Sequence, residues 1–245
     1  MMLEQNRDAI PHPFSYYGSK HRLSSKYPAP ETSTIIEPFA GTAAYARRYW
    51  RPGIQVKLFE INPVVSGVWE WLIGADYDAV MQLPLIRTKE DLQGIQNKHA
   101  RNLVGFNLNS SSTSPAKTPS KWMLSGTAPT TFWGEARRKR LAESVHMFDD
   151  WQVTCCSYMD VDTSTDGTWF VDPPYEGKKG SHYKFGSDKI DYKQLGRWVQ
   201  QLSSQVIVCE GDNAQWLDFE PIASISGTSR AKTVEKVFLK GCTNA

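Results

Sequence analysis

The sequence predicts an α/β protein: an open, mostly parallel sheet interrupted by a mainly helical insert. Three observations carry this. A strand–helix–strand–helix rhythm runs through residues 34–73, the signature of parallel pairing. From about Ala75 to Asp150 the rhythm gives way to helical stretches and polar loops. It then returns, with apolar runs at Val153–Cys156, Thr168–Asp172 and Gln205–Cys209.

The elements follow in order. Thr34-Ile35-Ile36-Glu37 reads as a buried strand, and Pro38-Phe39-Ala40-Gly41 as the turn after it. Thr42 is the expected N-cap of a helix through Ala43 to Trp50, broken by Pro52-Gly53. Ile54, Val56 and Leu58 alternate along a second strand that ends at Glu60. Asn62 caps a helix over 63–73 with Pro63 at its first position. The polar segment 107–115 reads as loop, Lys117–Trp122 follows it, and Arg137–Arg140 reads as helix. At about 75 residues the interruption is longer than a normal connection. Asp191 opens a helix to about Leu202, and strands at Ile222–Ile225 and Val234–Leu239 close the chain.

Asp172-Pro173-Pro174-Tyr175 is the most informative segment. It follows the apolar run Trp169-Phe170-Val171 and so stands at the C-terminal end of a strand, the edge where open α/β sheets bind ligands. Prolines lack N–H donors and fix φ, so their carbonyls point in set directions. A carboxylate oxygen and a proline carbonyl can together accept both hydrogens of one exocyclic amino group. A tyrosine can stack on the ring that bears it. The same four residues also suit an ordinary strand ending in a proline turn.

Glu37–Thr42 lies between a strand and a helix, where Gly41 lets a ligand approach the backbone. Glu60 follows Gly41 by 19 residues. An acidic residue at about that distance accepts hydrogen bonds from ribose hydroxyls. The spacing argues for a nucleoside-containing cofactor. A dinucleotide fits less well, because Ala43-Ala44 stand where further glycines would cradle a pyrophosphate. The competing reading is a tight turn and a solvated glutamate.

Tyr16-Tyr17-Gly18-Ser19-Lys20, Glu37–Thr42, Glu60-Ile61-Asn62-Pro63 and Asp172–Tyr175 occur in that order. In this the chain resembles the Dam-like class of S-adenosylmethionine-dependent DNA adenine-N6 methyltransferases, and its insert is most similar to those of small phage-type members. The resemblance covers most of 14–75 and 151–240, with Val234–Phe238 similar to the family's final strand. It implies a Rossmann-like class I methyltransferase sheet. Residues 1–74 would form the cofactor-binding half, 75–150 the target-recognition insert and 151–245 the half carrying the Asp-Pro-Pro-Tyr motif. It implies S-adenosylmethionine as cofactor and DNA, double-stranded, as partner. By similarity Tyr17 and Lys20 approach the cofactor's methionine end, with Glu37, Phe39 and Gly41 in its pocket. Glu60 would hold the ribose. Asp172, the backbone of Pro173, Pro174 and Tyr175 would grip a flipped-out adenine. The family often has an acidic residue followed by an aromatic before the motif strand. Ser157-Tyr158 stand there instead, with Asp160 as the substitute acid. Methylation of RNA or of cytosine N4, and a non-catalytic nucleic-acid-binding domain of the same fold, remain alternatives. So do phage protection, restriction–modification and regulation as roles.

Candidates for the nucleic-acid surface are the cations Arg137-Arg138-Lys139-Arg140, although four consecutive residues cannot share one helix face. Lys178, Lys179, His182, Tyr183 and Lys184 follow the motif. Asn107, Asn109, Lys117, Lys121 and Trp122 belong to the insert. Trp151, Trp198 and Trp216 read as core.

Composition narrows the class. With 28 Lys+Arg against 26 Asp+Glu the net charge is +2, which excludes a strongly basic coat but not a local basic face. Cys155, Cys156, Cys209 and Cys242 lack paired metal-ligand spacing and the five histidines are scattered, so no metal site is expected. Unbridged cysteines, the absence of an apolar run near the N-terminus and the absence of a membrane-length segment lead to a cytoplasmic expectation, in a bacterium or a phage-infected host. A monomer or weak dimer is expected.

Overall fold

The computed structural model describes residues 10–110, 112–125, 129–226 and 232–241. Most of the N-terminal stretch, Ser111 of the polar loop and Cys242 lie outside the described residues.

Seven strands form one sheet in the order β3-β2-β1-β4-β5-β7-β6. They are β1 (Thr34–Glu37), β2 (Gln55–Phe59), β3 (Gln152–Thr154), β4 (Thr168–Val171), β5 (Val206–Glu210), β6 (Glu220–Ser226) and β7 (Lys232–Lys240). The first five pair in parallel, with Ile35 opposite Val56, Ile36 opposite Trp169 and Phe170 opposite Ile207. β7 runs antiparallel to both β5 and β6. The chain is therefore an α/β fold on a mostly parallel sheet.

Both faces of the central strands are covered, which is why Ile35-Ile36 of β1, Trp169–Val171 of β4 and Val206–Cys209 of β5 are continuous apolar runs rather than alternating. Ile35, Phe170 and Ile207 point into one core with α1 (Ala44–Tyr49), α2 (Pro63–Ile73) and α5 (Lys98–Asn107). Ile36, Trp169, Val171, Val206 and Val208 point into the other, against Leu195, Trp198 and Val199 of α8 (Tyr192–Gln201). On the first side Tyr45 stacks on Phe170 with ring centroids 4.5 Å apart.

Local signals place several boundaries. Asn62 Oδ1 accepts the Val64 N–H and Pro63 begins α2, while Asp191 Oδ1 accepts the Gln194 N–H to begin α8. Thr42 is not the cap of α1. The helix starts at Ala44 behind Ala43, which is left-handed at φ 49°. Glu37, two turns of chain away on β1, does the capping instead: its Oε1 accepts the Ala46 N–H at 2.7 Å. Thr42 is engaged elsewhere, its hydroxyl 2.8 Å from Ser19 Oγ and its carbonyl accepting from Arg47 Nε. β3 covers Gln152–Thr154 rather than Val153–Cys156, because its single neighbour β2 ends at Phe59, opposite Thr154.

Between α2 and β3 lie α3 (Tyr77–Met81), α4 (Lys89–Gln93), α5, α6 (Lys121–Leu124) and α7 (Glu135–Ser144). This region docks on the sheet through α2. Trp69 stacks on Trp151 and meets Phe148 edge-on, and Asn107 Nδ2 donates to the Pro13 carbonyl. Trp151 and Trp198 are buried, while Trp216 is half-buried with its ring N–H on Glu210.

The loop after α5 is seated on Gly105. The Ala116 N–H donates to the Gly105 carbonyl, and a Cβ at Gly105 would stand 2.7 Å from the Ala116 oxygen. Gly105→Ala is expected to cost about 1–3 kcal/mol through overpacking, read as a lowered denaturation midpoint with an unchanged slope.

Candidate functional site

One cavity opens at the C-terminal edge of the sheet, over the ends of β1 and β4. The chain order reverses between those two strands, with β2 and β3 on one side and β5 on the other. Loops diverge at such a switch point and leave a crevice.

Four segments far apart in sequence build its walls. The first is Tyr16–Lys20. Lys20 is buried, and its Nζ lies 2.7 Å from Asp172 Oδ1 at the end of β4. Burial opposes the ammonium charge, but Asp172 and Glu235 outweigh it and hold Lys20 above its usual range. Burial also acts on Asp172 and lifts it to about 6, although the ammonium pulls the other way. Gly18 has φ 73°, and a Cβ there would meet the Tyr183 hydroxyl at 1.9 Å. That hydroxyl donates to the Tyr17 carbonyl, so the loop after the motif clamps the segment.

The second wall is the turn after β1. Gly41 has φ 46°, and its N–H donates to Glu60 Oε2. Its carbonyl accepts the ring N–H of Trp69 at 2.9 Å. A Cβ at Gly41 would meet only Tyr16 Cδ1, at 3.8 Å, so the backbone conformation rather than crowding calls for glycine here. Glu60, at the end of β2, also accepts the Asn62 N–H through Oε1, and burial raises its pKa. These bonds use two of roughly four acceptor positions on a carboxylate, and Glu60 lines the cavity with the rest. Glu37 at the floor is 2% exposed, and burial pushes it up to about 8.

The third wall pairs Phe39 with Tyr158, ring centroids 5.3 Å apart. Ser157 lines the cavity, but Ser157 and Asp160 form a capping box: Ser157 Oγ accepts from Met159 and Asp160 Oδ2 accepts from Ser157. Asp160 does not line the cavity. The fourth wall is Phe185, Lys189, Ile190, Asp191 and Gln194. The sequence marked Asp191 only as a helix cap. Nothing in the local pattern places it opposite Phe39.

The Asp-Pro-Pro-Tyr segment is divided. Asp172 and Pro174 line the cavity, whereas Pro173 is buried away from it. The Pro174 carbonyl accepts from Tyr192. Tyr175 lies behind the cavity rather than in it. Its hydroxyl donates to Glu235 Oε1, Lys20 Nζ sits 4.4 Å from its ring centroid, and its edge packs near Gly211. Burial, then Asp172, raises its pKa well above the ordinary tyrosine value. Glu235, 3% exposed on β7, also accepts from Tyr27 at 2.7 Å. The sequence placed Glu235 in the closing strand but gave no sign of this network.

The cavity brings together Tyr17, Lys20, Glu37, Phe39, Gly41, Glu60, Ser157, Tyr158, Asp172 and Tyr183. The basic candidates do not converge on it. Arg137 is buried and donates to Asn107 Oδ1, Arg138 to the Leu83 carbonyl, and Arg140 to the Thr130 carbonyl. Lys139 is exposed, 3.8 Å from Glu143. Asn107 is a buried connector, not a surface reader. Lys117, Lys121, Lys178 and Lys179 are exposed and Asn109 is half-buried. Among the described residues no group of three or more His, Cys, Asp or Glu has metal-binding geometry, and no helix is long and apolar enough to cross a membrane.

Compared with known proteins, the chain matches no protein-family model and no curated sequence.

Two outcomes are expected. A raised folded-state pKa at Glu37 stabilises fully below its unfolded value near 4.5, and that contribution is lost as pH rises through about 8. Glu37→Gln keeps an acceptor for Ala46, so urea unfolding at a series of pH values is expected to show a smaller loss of stability across that window. The residual slope comes from Asp172, Glu60 and Glu210, whose pKa values burial also raises, and is opposed by His12 and His21, whose pKa values burial lowers. Glu235→Ala leaves two tyrosine hydroxyls without their acceptor, and chemical denaturation is expected to show a loss of about 2–4 kcal/mol.

Proposed function

We propose that this protein is a DNA methyltransferase that moves a methyl group from S-adenosylmethionine to N6 of an adenine turned out of the duplex. The observation that carries the reading is the convergence of four separated segments on one crevice at the sheet's switch point, with Lys20 and Asp172 joined at its floor.

The residues present fit the cofactor. Phe39 and Tyr158 offer aromatic faces to a purine, and Glu60 offers carboxylate oxygens to ribose hydroxyls. The open backbone at Gly41 and the Tyr17–Lys20 segment would receive the methionine end. Ser157 Oγ and Asp191 Oδ1 each cap a helix, and the second carboxylate oxygen of Asp191 is the acceptor left for the purine amine. When bound, the cofactor supplies an electrophilic methyl group.

The chain's own residues do the rest. Asp172 accepts a hydrogen bond from the target amino group, and Pro174, whose ring edges the same crevice, limits how that group sits. The amino nitrogen of adenine is a poor nucleophile because its lone pair is delocalised. An acceptor fixed where positive charge develops on that nitrogen lowers the barrier, and holding the reactants in line contributes as much again. Methylation releases one proton from the nitrogen. Asp172, lifted to about 6, is a stronger proton acceptor than an ordinary carboxylate and returns the proton to water near neutral pH. Lys20 must exchange part of its contact with Asp172 for this. Tyr175, covered by Lys20, meets a base only when that ammonium moves. Turning the base out costs a few kcal/mol. Residues 75–150 are proposed as the part that selects the target.

The test is incubation of the full chain with S-adenosylmethionine and unmethylated mixed-sequence DNA, with RNA in parallel, followed by digestion and mass spectrometry of nucleosides. N6-methyladenine in DNA is expected, with a loss of at least a hundredfold in Asp172→Ala on the order of what one electrostatic contact supplies. Product in RNA alone, or methylated cytosine, overturns the substrate. No product together with no cofactor binding by calorimetry overturns the enzyme.

A further inference from the structure

A second hollow adjoins the crevice. It lies between α4, α5 and the loop after α5, and Asn62 lines both cavities. Its cations are Arg101, Lys117 and Lys184. They come from three places in the chain: α5, the loop seated on Gly105, and the segment after the Asp-Pro-Pro-Tyr motif. No Asp or Glu lines the hollow among the described residues. None of the three cations has a carboxylate partner there either.

Arg101 Nη1 donates to the Ile95 carbonyl, a bond that leaves its charge in place. The α7 arginines donate to carbonyls and to Asn107. Lys178 and Lys179 share their hollow with Glu176, Glu210 and Asp212. Three uncompensated cations in one concavity create a positive potential that attracts an anionic chain. Asn102 and Thr113 add an amide and a hydroxyl able to donate to phosphate oxygens.

The hollow is also tied to the crevice. Lys184 precedes Phe185, which lines the crevice wall. The Tyr17 N–H donates to the Ser112 carbonyl, so the loop that carries Lys117 is fastened to the segment that carries Lys20. The two hollows share Asn62, so a strand lying over one passes beside the other.

We propose that the Arg101–Lys117–Lys184 hollow is a phosphate-binding track for a nucleic-acid backbone that leads one nucleotide into the crevice. The proposal rests on the methyltransferase reading for what happens in the crevice, but not for binding. It replaces the α7 cations as the backbone contact.

The test is anisotropy of fluorescent mixed-sequence duplex DNA, single-stranded DNA and RNA with the full chain, over a series of KCl concentrations. Each phosphate contact contributes about one to the slope of log affinity against log salt. Arg101→Gln, Lys117→Ala and Lys184→Ala, with unchanged melting transitions, are each expected to reduce that slope by about 1. The triple variant is expected to reduce it by about 3, while Lys193→Ala on α8 leaves it unchanged. The probe with the largest change names the backbone. An unchanged slope in the triple variant overturns the proposal, as does loss in Lys139→Ala without loss in the groove variants. So does competition by polyglutamate as strong as by the duplex at equal charge. Methyl transfer is followed in the same samples. Transfer with an unchanged slope removes the groove and leaves the enzyme. A reduced slope without transfer to any of the three probes supports the groove and removes the enzyme.

Discussion

Buried Lys20 and half-buried Asp172 form an ammonium–carboxylate pair 2.7 Å apart, and much of the crevice depends on it. Removing Asp172 would leave the buried ammonium uncompensated, at up to about 3–5 kcal/mol. Together they fasten the N-terminal segment to the end of the central strand. The segment then serves as a frame for other parts. Tyr183 closes over Gly18, Ser19 meets Thr42, and the Tyr17 N–H reaches Ser112. One ion pair thus organises the motif strand, the turn after β1, the loop after α5 and the segment after the motif.

A layer of fixed acids supports that pair. Glu37 caps α1 across the turn, Glu60 holds the Gly41 N–H, and Glu235 ties Tyr175 to Tyr27. Each accepts from backbone N–H or hydroxyl groups rather than from a paired cation, and burial raises the pKa of Glu37 and Glu60. Hydrogen bonds fix these acids at the base of the crevice, while Ile61 and Met159 at its rim remain exposed. Tyr175 joins that base through Glu235, and its face meets Lys20.

The residues after α2 show where local pattern stops informing. Arg137–Arg140 looked like a phosphate track because four cations adjoin in sequence. On a helix they point in four directions, and three of them find carbonyl or amide oxygens within the protein. The cations that share one concavity with no acid among the described residues are instead Arg101, Lys117 and Lys184, which no sequence window joins. Asn107 likewise resembled a loop-surface amide, yet it lies at the end of α5, where it bonds Pro13, Leu103 and Arg137.

Much of the fold was legible in the chain itself. The runs at Thr34–Glu37, Thr168–Asp172 and Gln205–Cys209 announced buried strands of an α/β sheet, because a strand buried on two sides has no polar alternation to show. Asn62-Pro63 and Asp191 announced helix starts, because capping is settled within three residues. The segments of the crevice were legible too, as residue types at strand ends. Their meeting was decided only by tertiary structure. A capping carboxylate arriving from another element displaced Thr42, Glu235 came to Tyr175 from 60 positions away, and the fourth wall of the crevice came from the start of α8. These contacts depend on where the sheet's crossovers deliver the chain, and no spacing within a local window carries that.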